Sequence, residues 1–431
     1  MNQIVCKLNE EDNFSIDNPQ FEVDLTDKKD YHSTFYRYYR RLYQFPSFFS
    51  NEALDLFYIS LMVYYADRKV LRRETSDAWT RELKLYIPVL ELDKWIANKV
   101  LLEKMVSFLS GDLWQFEFRK RELNAKEIKV SKGVSRSRKE YSPDAFCMLS
   151  GGLDSFIGAI DLLNLSKNIA FVGHYGGGKG VIEYQNNVKS KLVEKYSLEE
   201  RQFFNFYAAP IKGIEDSTRT RSFMFFAHAI ILASAVNKPI NLYIPENGLI
   251  SLNIPLTNTR LGSSSTRTTH PYYMQLLQEL LNNLDIKINL RNPFQFFTKG
   301  EMILNCKDSS FLEQNIANTM SCSHPDLGRY QKENAPSHCG TCLPCVIRRA
   351  SIEKAYGVDN SIYRDRDFKI GKATSELNSY KIGILDFKHS TSNVSFKIQE
   401  AGPISSNLEE YSGLYKRGMD ELATLLDKYN G

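Results

Sequence analysis

The sequence lacks a long hydrophobic run. Its longest strongly apolar stretch, Phe223 to Val236, contains His228 and is shorter than the ~20 residues that a membrane-spanning helix needs. The N-terminus, Met1 to Ile4, lacks the charged-then-apolar layout of a signal peptide. We therefore predict a buried helix at 223–236, no membrane partner and a cytoplasmic location.

The sequence also lacks an excess of charge of one sign. Its 55 basic and 51 acidic residues leave a net charge of +4, too even to indicate nucleic-acid binding by itself. The Lys-, Arg- and Ser-rich stretch Arg119 to Lys139 is the exception. Two interpretations of it stay open: a solvated linker, or a binding strip for an acidic partner or RNA. Nucleic acid is not expected as a partner unless this stretch binds it.

Internal repeats are absent too, and the composition is that of a globular protein. A chain of 431 residues, 42% of them hydrophobic, can bury a core and predicts two or three domains. Seven cysteines in a chain that is expected in the cytoplasm indicate metal ligands or free thiols rather than disulfides.

The first part of the chain, residues 1–118, carries no catalytic constellation. Phe21 to Leu25 and Trp114 to Phe118 alternate apolar and polar residues, as half-buried strands do. Glu52 to Asp67 and Leu92 to Leu109 have the apolar spacing of helices. We predict an α+β accessory or interaction domain here, followed by a basic linker at 119–143.

From Asp144 onward, predicted strands alternate with predicted helices. The strands are Ala145 to Leu149, Asn168 to Tyr175, Phe203 to Ala208 and Ile240 to Ile244, and the helices are Asp154 to Leu165, Val181 to Tyr196 and Thr220 to Val236. This order predicts an α/β fold, a doubly wound parallel sheet with helices on both faces, over residues 144–356. Ligands of such sheets bind at the carboxyl ends of the strands. Residues 357–431 are predicted as a polar, irregular extension that ends in a helix, Leu408 to Tyr429.

The first of these strands runs into the hexapeptide Ser150-Gly151-Gly152-Leu153-Asp154-Ser155. Glycines let the backbone approach a phosphate, and the start of the following helix offers unpaired N–H groups. Ser150 and Ser155 add hydroxyl donors, and Asp154 would reach a phosphate through Mg²⁺. We predict an ATP site here; the alternative is a tight turn capped by serine.

The Gly-x-x-x-x-Gly-Lys-[Ser/Thr] loop of kinases and GTPases is absent. The stretch Gly176 to Gly180 has neither its spacing nor its Ser or Thr. Lys179 is either a phosphate contact or part of an inert turn.

Four cysteines near the C-terminal end of the α/β region have metal-ligand spacing. Cys339, Cys342 and Cys345 lie within seven residues, and Cys322 lies a short loop upstream. Four thiolates close the tetrahedral shell of a structural zinc ion. His324 and His338 are potential substitutes for one cysteine, and we expect Cys322 to be the fourth ligand.

The hexapeptide resembles the signature of PP-loop ATP pyrophosphatases, which cleave ATP between its α and β phosphates. With the cysteines it resembles the 7-cyano-7-deazaguanine synthase family, QueC, from about Asp144 to Tyr356. The other matching motifs are Arg221-Ser222, Asn292-Pro293, Thr298-Lys299-Gly300-Glu301, Ser321-Cys322 and Arg348-Arg349. In that family a carboxylate on a deazaguanine base is adenylated, aminated and dehydrated to a nitrile, and the cysteines bind structural zinc.

Two departures separate the chain from ordinary QueC proteins. Ser265 to Pro271 stands where the family carries a Tyr-Pro-Asp-Cys-Arg-like substrate loop, and both ends of the chain are extended. The long form resembles the QueC-like QatC proteins of bacterial anti-phage defence operons. The resemblance implies a deazaguanine-like carboxylate as substrate and protein partners from such an operon. A protein amine as the acceptor is a hypothesis based on the altered loop and the added regions.

Polar residues predict the substrate side of the site. Glu246, Asn247 and Gly248 follow the strand at 240–244, beside the expected nucleotide, with Ser251 and Asn253 downstream. In the polar loop from Thr257 to His270, an arginine (Arg260 or Arg267) can bind a carboxylate or phosphate. Arg267 could neutralise charge at the α-phosphate, and His270 could orient substrate or move a proton. The family context indicates Lys299 as a charge beside the leaving pyrophosphate. His174, at the end of the second strand, is either near the adenosine or structural.

Three functions are compatible with these features. The first is ATP-dependent activation of a carboxylate followed by formation of a C–N bond. The second is sulfur transfer to tRNA, for which Cys147 and Cys306 offer no persuasive catalytic pair. The third is a nucleotide-binding subunit of a defence complex without turnover, which the intact hexapeptide disfavours.

Overall fold

A computed structural model of the chain describes residues 1–9, 11–136, 140–165, 168–176, 179–256, 267–326, 328, 335–389 and 393–429, with the backbone alone at 38–40 and 179–180. The strands are β1 (Asn2–Lys7), β2 (Phe21–Asp24), β3 (Tyr31–Ser33), β4 (Glu82–Val89), β5 (Leu113–Lys120), β6 (Ala145–Met148), β7 (Ile169–His174), β8 (Phe203–Phe206), β9 (Ala208–Pro210), β10 (Ile240–Tyr243) and β11 (Ile288–Arg291).

The helices are given in chain order. They are α1 (Tyr39–Leu42), α2 (Asn51–Lys69), α3 (Leu92–Ala97), α4 (Lys99–Ser110), α5 (Ala125–Arg136), α6 (Leu153–Asn164), α7 (Lys179–Tyr196), α8 (Arg221–Ser234), α9 (Gly248–Leu252), α10 (Pro271–Asn283), α11 (Lys299–Leu304), α12 (Ser309–Asn315), α13 (Leu343–Tyr356), α14 (Ala373–His389), α15 (Val394–Lys397) and α16 (Leu408–Leu426). No described helix combines the length and the apolar character that crossing a membrane requires.

A five-stranded parallel sheet confirms the predicted α/β region. Its strand order is β11-β10-β6-β7-β8, and every neighbouring pair is parallel. The chain moves outward from β6 in one direction through β7 and β8, and in the other through β10 and β11. The connections therefore diverge between β6 and β10, which is where a doubly wound sheet leaves a crevice for a ligand.

The N-terminal sheet differs from the prediction of an α+β domain. Its strands are ordered β2-β1-β4-β5, and all three pairs are parallel. Parallel neighbours need a crossover connection, which α2 supplies between β1 and β4, and α3 and α4 supply between β4 and β5. This region is therefore α/β as well.

The N-terminal region and the five-stranded sheet share a hydrophobic core. Phe57 and Ile59 of α2 belong to the same buried cluster as Phe226 and Ile230 of α8, and α2 packs along α8. In addition, β3 pairs with β9 in antiparallel register. The domain boundaries given above stay predictions.

The stretch 119–143, which we predicted as a linker, includes the end of β5 and the helix α5. Val130 and Val134 of α5 are buried, and Arg121 forms a buried ion pair with Glu127 at 2.8 Å. Most of the stretch is thus packed against the protein; residues 137–139 lie outside the described part of the chain.

The C-terminal region is also more ordered than the predicted irregular extension. α14, α15 and α16 bury a cluster of their own that includes Leu377, Ile384 and Leu414 and continues into α9 and α13. The predicted terminal helix is confirmed as α16.

A buried ion network joins the start of β4 to α2 and α8. The Arg81 guanidinium donates to Asp67 Oδ1 at 2.6 Å and to Asp112 Oδ2 at 2.7 Å, and all three side chains are inaccessible to solvent. Thr220, which precedes α8, donates its hydroxyl to Asp67 Oδ2 at 2.9 Å. Burial alone would raise the pKa of Asp67. The charge of Arg81 and its hydrogen bond outweigh this effect, so the pKa of Asp67 is below its usual value.

Replacing Asp67 by alanine leaves Arg81 buried with one carboxylate partner fewer. We expect Asp67→Ala to lower the free energy of unfolding by about 3–5 kcal/mol, measured by urea denaturation at pH 7. Asp93→Ala, at an exposed aspartate of α3, is the control and should change it by about 0.5 kcal/mol or less. Equal stability of the two variants would contradict a structural role for the network.

Candidate active site and metal centre

The predicted phosphate loop lies at the divergence of the sheet. Ser150 to Ser155 follow β6, and Glu246 to Gly248 follow β10, its parallel neighbour. Because both strands end at the same edge, the sequence places two polar segments on either side of the crevice. Lys299, the first residue of α11, lies at the same edge of the sheet.

Asp154 is the centre of the site. Its carboxylate is buried, with Oδ1 2.8 Å from Lys299 Nζ. Oδ2 accepts hydrogen bonds from the backbone N–H of Asn247 at 3.1 Å and from Asn247 Nδ2 at 2.7 Å. The structure thus brings together three residues that were predicted separately, Asp154, Asn247 and Lys299.

The phosphate loop is closed by its own serines. Ser155 Oγ accepts from the Ser150 N–H at 3.2 Å and donates to the Gly152 carbonyl at 3.0 Å, and the two hydroxyls are 3.1 Å apart. α6 begins at Leu153, so its first amides lack acceptors within the helix and face the loop. The loop therefore has the donors that an anion site needs.

The backbone conformation and the close packing at position 151 both require glycine. Its φ is +83°, and a Cβ there would lie 2.8 Å from the backbone nitrogen of Gln185 in α7. Gln185 is buried, donates from Nε2 to the His174 carbonyl at 3.0 Å, and has no described partner for its Oε1. No local pattern indicates Gln185, because α7 reaches the phosphate loop only through the tertiary fold.

Two short helices, α9 and α11, position the residues that contact Asp154. Asn247 caps α9, its Oδ1 accepting from the Ile250 N–H at 3.0 Å. Thr298 caps α11 in a reciprocal capping box with Glu301. The Thr-x-x-Glu spacing of this box was readable from the sequence, whereas its position against Asp154 was not.

Glu246 lies beside this cluster and is partly buried. Thr269 donates its hydroxyl to Glu246 Oε2 at 2.7 Å, and Ser251 Oγ is 2.9 Å from Thr269 Oγ1. Burial, to which the charge of Asp154 adds, raises the pKa of Glu246 to about 7 despite the hydrogen bond from Thr269 and the charge of Lys299. Glu246 can therefore exchange a proton near neutral pH.

A cavity of about 430 Å³ adjoins Ser251 and Thr269. Its polar lining is uncharged and comes from both the α/β region and the C-terminal region: Ser251, Thr269, Gln275, Gln278, Asn292, Gln295, Ser405, Ser406, Asn407 and Tyr411. Asn292 also bonds the backbone of Glu246, donating to its carbonyl at 2.8 Å. The cavity is thus connected to the site through Asn292 and through the Ser251–Thr269 pair.

Three predicted residues are held by other contacts. Arg267 donates to the Phe108 carbonyl at 2.7 Å and stacks on the Phe108 ring, and His270 caps α10 and packs on the same ring. His174 is buried with Nε2 3.3 Å from the Ala208 carbonyl. Burial lowers the pKa of both histidines to about 3, so they are neutral at pH 7. Their catalytic or nucleotide-binding roles stay predictions.

Some residues of the two loops singled out in the sequence fall outside the described residues. These are Gly177 and Gly178, the side chain of Lys179, and the loop residues Arg260, Ser265 and Thr266. Gly248, which begins α9, is described: its N–H donates to the Phe297 carbonyl at 2.9 Å.

The four predicted cysteine ligands converge. The sulfur atoms of Cys322, Cys339, Cys342 and Cys345 all lie within 4.8 Å of one another. Cys322 and Cys342 are separated by 3.9 Å and Cys339 and Cys345 by 3.8 Å, Sγ to Sγ. A zinc tetrahedron with Zn–S bonds of about 2.3 Å has edges of about 3.8 Å, so the spacing fits zinc and excludes disulfides.

The surroundings of the cluster stabilise it and connect it to the phosphate loop. The N–H groups of Cys339 and His324 donate to Cys322 Sγ at 3.3 Å, which favours a thiolate. Arg348, on α13 just beyond the cluster, donates to Thr319 Oγ1 at 2.7 Å. The next residue, Met320, donates its N–H to the Gly151 carbonyl at 2.9 Å. The residues around the cysteine cluster therefore contact the segment that bonds Gly151.

The remaining cysteines are buried thiols. Burial raises the pKa values of Cys6 and Cys147 well above the usual range, and that of Cys306 to about 12. None of the three supplies a thiolate at neutral pH.

Comparison with known families matches the end of this region. The family model described as "Queuosine biosynthesis protein QueC" matches residues 268–356, about a fifth of the chain. The match includes Lys299 and all four cysteines, whereas Ser150 to Ser155 lie outside it. The resemblance to QueC is confirmed for this segment, and the resemblance of the long form to defence proteins stays a prediction. Neither the comparison with curated proteins nor that with solved structures gave a match.

The cysteine geometry predicts bound zinc. We expect the purified protein to contain equimolar zinc by elemental mass spectrometry, and Cys342→Ser to lose most of it and to melt at a lower temperature. Cys306→Ser, at a buried thiol outside the cluster, is the control and should keep its zinc. Zinc-free wild-type protein, or equal zinc in both variants, would contradict the assignment.

The raised pKa of Glu246 predicts a pH-dependent stability. A carboxyl group with a pKa near 4.3 when unfolded and about 7 when folded stabilises the fold fully below its unfolded pKa, and this stability is lost as pH rises through about 7. Glu246→Gln, which imitates the neutral acid, should therefore exceed wild type in stability by about 1–3 kcal/mol at pH 8.5 and by little at pH 5. Urea denaturation at both pH values measures this, and a difference independent of pH would show that Glu246 titrates normally.

Proposed function

We propose, from the QueC-like segment that carries Lys299 and the cysteines, that the protein is an ATP-dependent enzyme which adenylates a carboxylate. The finer part of the proposal is that the carboxylate belongs to a 7-carboxy-7-deazaguanine-like molecule. The activated acid is then converted to an amide or nitrile, or joined to a protein amine.

The observation that carries the proposal is the contact between Asp154 and Lys299 at the edge of the sheet. It joins the phosphate loop, which lies outside the matched family segment, to the matched segment itself. A loop that only turned the chain would not need a buried lysine and a buried aspartate at the end of two different strands.

The residues present fit a nucleotide with its metal ion. The amides at the start of α6 and the ammonium of Lys299 would face the β and γ phosphates, and Lys299 would stabilise the charge on the departing pyrophosphate. Asp154 is the carboxylate that would hold Mg²⁺, since this ion is usually bound by one or two carboxylates together with phosphate oxygens. Bound there, it would neutralise phosphate charge.

The chemistry up to the amide can be written in two balanced steps, and a nitrile would require a second ATP, so that the amide oxygen leaves as part of AMP. A carboxylate oxygen attacks the α-phosphorus of ATP, and the bond to the β-phosphate oxygen breaks, which releases pyrophosphate. An amine then attacks the acyl carbon and AMP leaves, while the amine loses a proton. Glu246, whose pKa is about 7, would accept this proton.

The uncharged cavity next to Glu246 supports a neutral ring as the rest of the substrate. Amide and hydroxyl groups from both its sides can pair with the donors and acceptors of a base, and no charged residue lines it. The C-terminal region contributes four of its lining residues, 405–407 and 411. A role in anti-phage defence with partner proteins of the same operon remains part of the proposal through the resemblance of the long form.

The proposal predicts a specific nucleotide product. Purified protein incubated with ATP, Mg²⁺ and 7-carboxy-7-deazaguanine should produce AMP and pyrophosphate, with an amide or nitrile base, as read by mass spectrometry. Lys299→Ala should lower the rate of AMP formation about 10²–10³-fold, because a charge at the leaving group is lost.

Lys307→Ala, at an exposed lysine close to α11, is the matched control and should retain the wild-type rate. Formation of ADP instead of AMP would overturn the PP-loop assignment. Absence of any nucleotide turnover would favour a nucleotide-binding subunit, and tRNA retained through purification would favour the tRNA-modifying alternative.

A further inference from the structure

The C-terminal helix α16 packs against both short helices that supply Asp154 with its partners. One of them, α9, begins after Asn247, and the other, α11, begins with Lys299. These two helices follow different strands of the sheet, so a common support is needed to fix their ends relative to each other. α16 is in the position to provide it.

The contact with α9 is close and apolar. A Cβ on Gly248 would lie 2.3 Å from Leu414 Cδ2, and a Cβ on Gly418 would lie 2.8 Å from the Leu249 methyl groups. The glycine on each helix thus makes room for a leucine side chain of the other helix. The N-terminal turn of α9, which carries the amide that binds Asp154, rests directly on α16.

The contact with α11 is polar and involves both members of its capping box. Glu421 of α16 is buried and accepts a hydrogen bond from the Thr298 hydroxyl. It also forms an ion pair with Lys354 at 2.8 Å. Arg417, one turn earlier on α16, pairs with Glu301 through Nε at 2.6 Å. α16 therefore holds the residue before Lys299 and the second residue after it.

Glycine again marks the approach of the two helices. A Cβ on Gly300 would lie 2.9 Å from Glu421 Oε1. Thr298, Gly300 and Glu301 all contact α16, whereas Lys299 points from the same turn to Asp154. One side of this helical turn faces α16, and the other side faces Asp154.

We propose that Glu421 and Arg417 are positioning residues that hold the N-terminal turn of α11 and thereby keep Lys299 against Asp154. Because a lysine has a long flexible stem, the direction of its ammonium depends on a fixed backbone turn. In this proposal the C-terminal region supports the site by holding the turn that carries Lys299. The kinetic test of this proposal rests on the proposed function, whereas the structural test does not.

The kinetic test is a double-mutant cycle on AMP formation. Glu421→Ala should lower kcat about tenfold to a hundredfold with little change in the KM for ATP, since Lys299 would act on the leaving group rather than on ground-state binding. In a Lys299→Ala background the same substitution should cost little more, because its effect passes through Lys299. Arg417→Ala, at an exposed side chain, should show the same pattern with a smaller loss.

Matched controls are available on the same helix. Glu409→Ala and Lys416→Ala remove exposed side chains of the same charges and should retain the wild-type kcat. Additive losses for Glu421→Ala and Lys299→Ala would overturn the proposal, since they would indicate general destabilisation.

The structural test is amide hydrogen exchange measured by mass spectrometry on the full chain. Glu421→Ala should accelerate exchange in the peptide that spans 299–304 and leave the peptide of β6 unchanged. Unchanged exchange at 299–304, or acceleration throughout the chain, would overturn the proposal. If wild-type protein forms no AMP, the proposed function fails, and this measurement still decides whether α16 holds the turn.

Discussion

The charge of Asp154 is the constraint on which the rest of the site depends. A carboxylate that is buried in a protein must be paired, because an uncompensated charge is strongly destabilising. Lys299 and Asn247 supply the pairing from α11 and α9. Since α6, α9 and α11 follow β6, β10 and β11, this one carboxylate ties together the ends of three strands. The same arrangement places a cation and helix amides where a nucleotide would enter.

The cysteine cluster and the C-terminal region support the same site from two other sides. The cysteine cluster fixes the segment whose Met320 bonds Gly151, so the phosphate loop rests on it. α16 supports the helices that bear Asn247 and Lys299. In the proposed function, neither a zinc ion held by the cysteines nor the C-terminal region takes part in a chemical step. They hold groups that would otherwise be free to move, which is how remote residues influence catalysis.

Local features of the sequence predicted more of this than non-local ones. Ser150 to Ser155 and the cysteines are short contiguous patterns, and their spacing carries their chemistry. Gln185 and Thr269 were missed as contacts because only the tertiary fold brings α7 to the phosphate loop and the turn before α10 to Glu246. The parallel N-terminal sheet was missed because alternation gives the faces of a strand but not the direction of its neighbours. α14 is different: Leu377, Tyr380, Ile384 and Phe387 have helical spacing, so a signal was present in the region that we predicted as irregular.

The proposed site depends on where the nucleotide binds, and the most direct measurement is a structure of the protein with α,β-methylene-ATP, which cannot be cleaved between its α and β phosphates. The account predicts the phosphates at the amides of Gly151 to Leu153, with Lys299 Nζ within hydrogen-bonding distance of a phosphate oxygen. A nucleotide bound elsewhere, for example in the charged cavity of about 340 Å³ between α13 and α16, with the Asp154–Lys299 pair undisturbed, would contradict it.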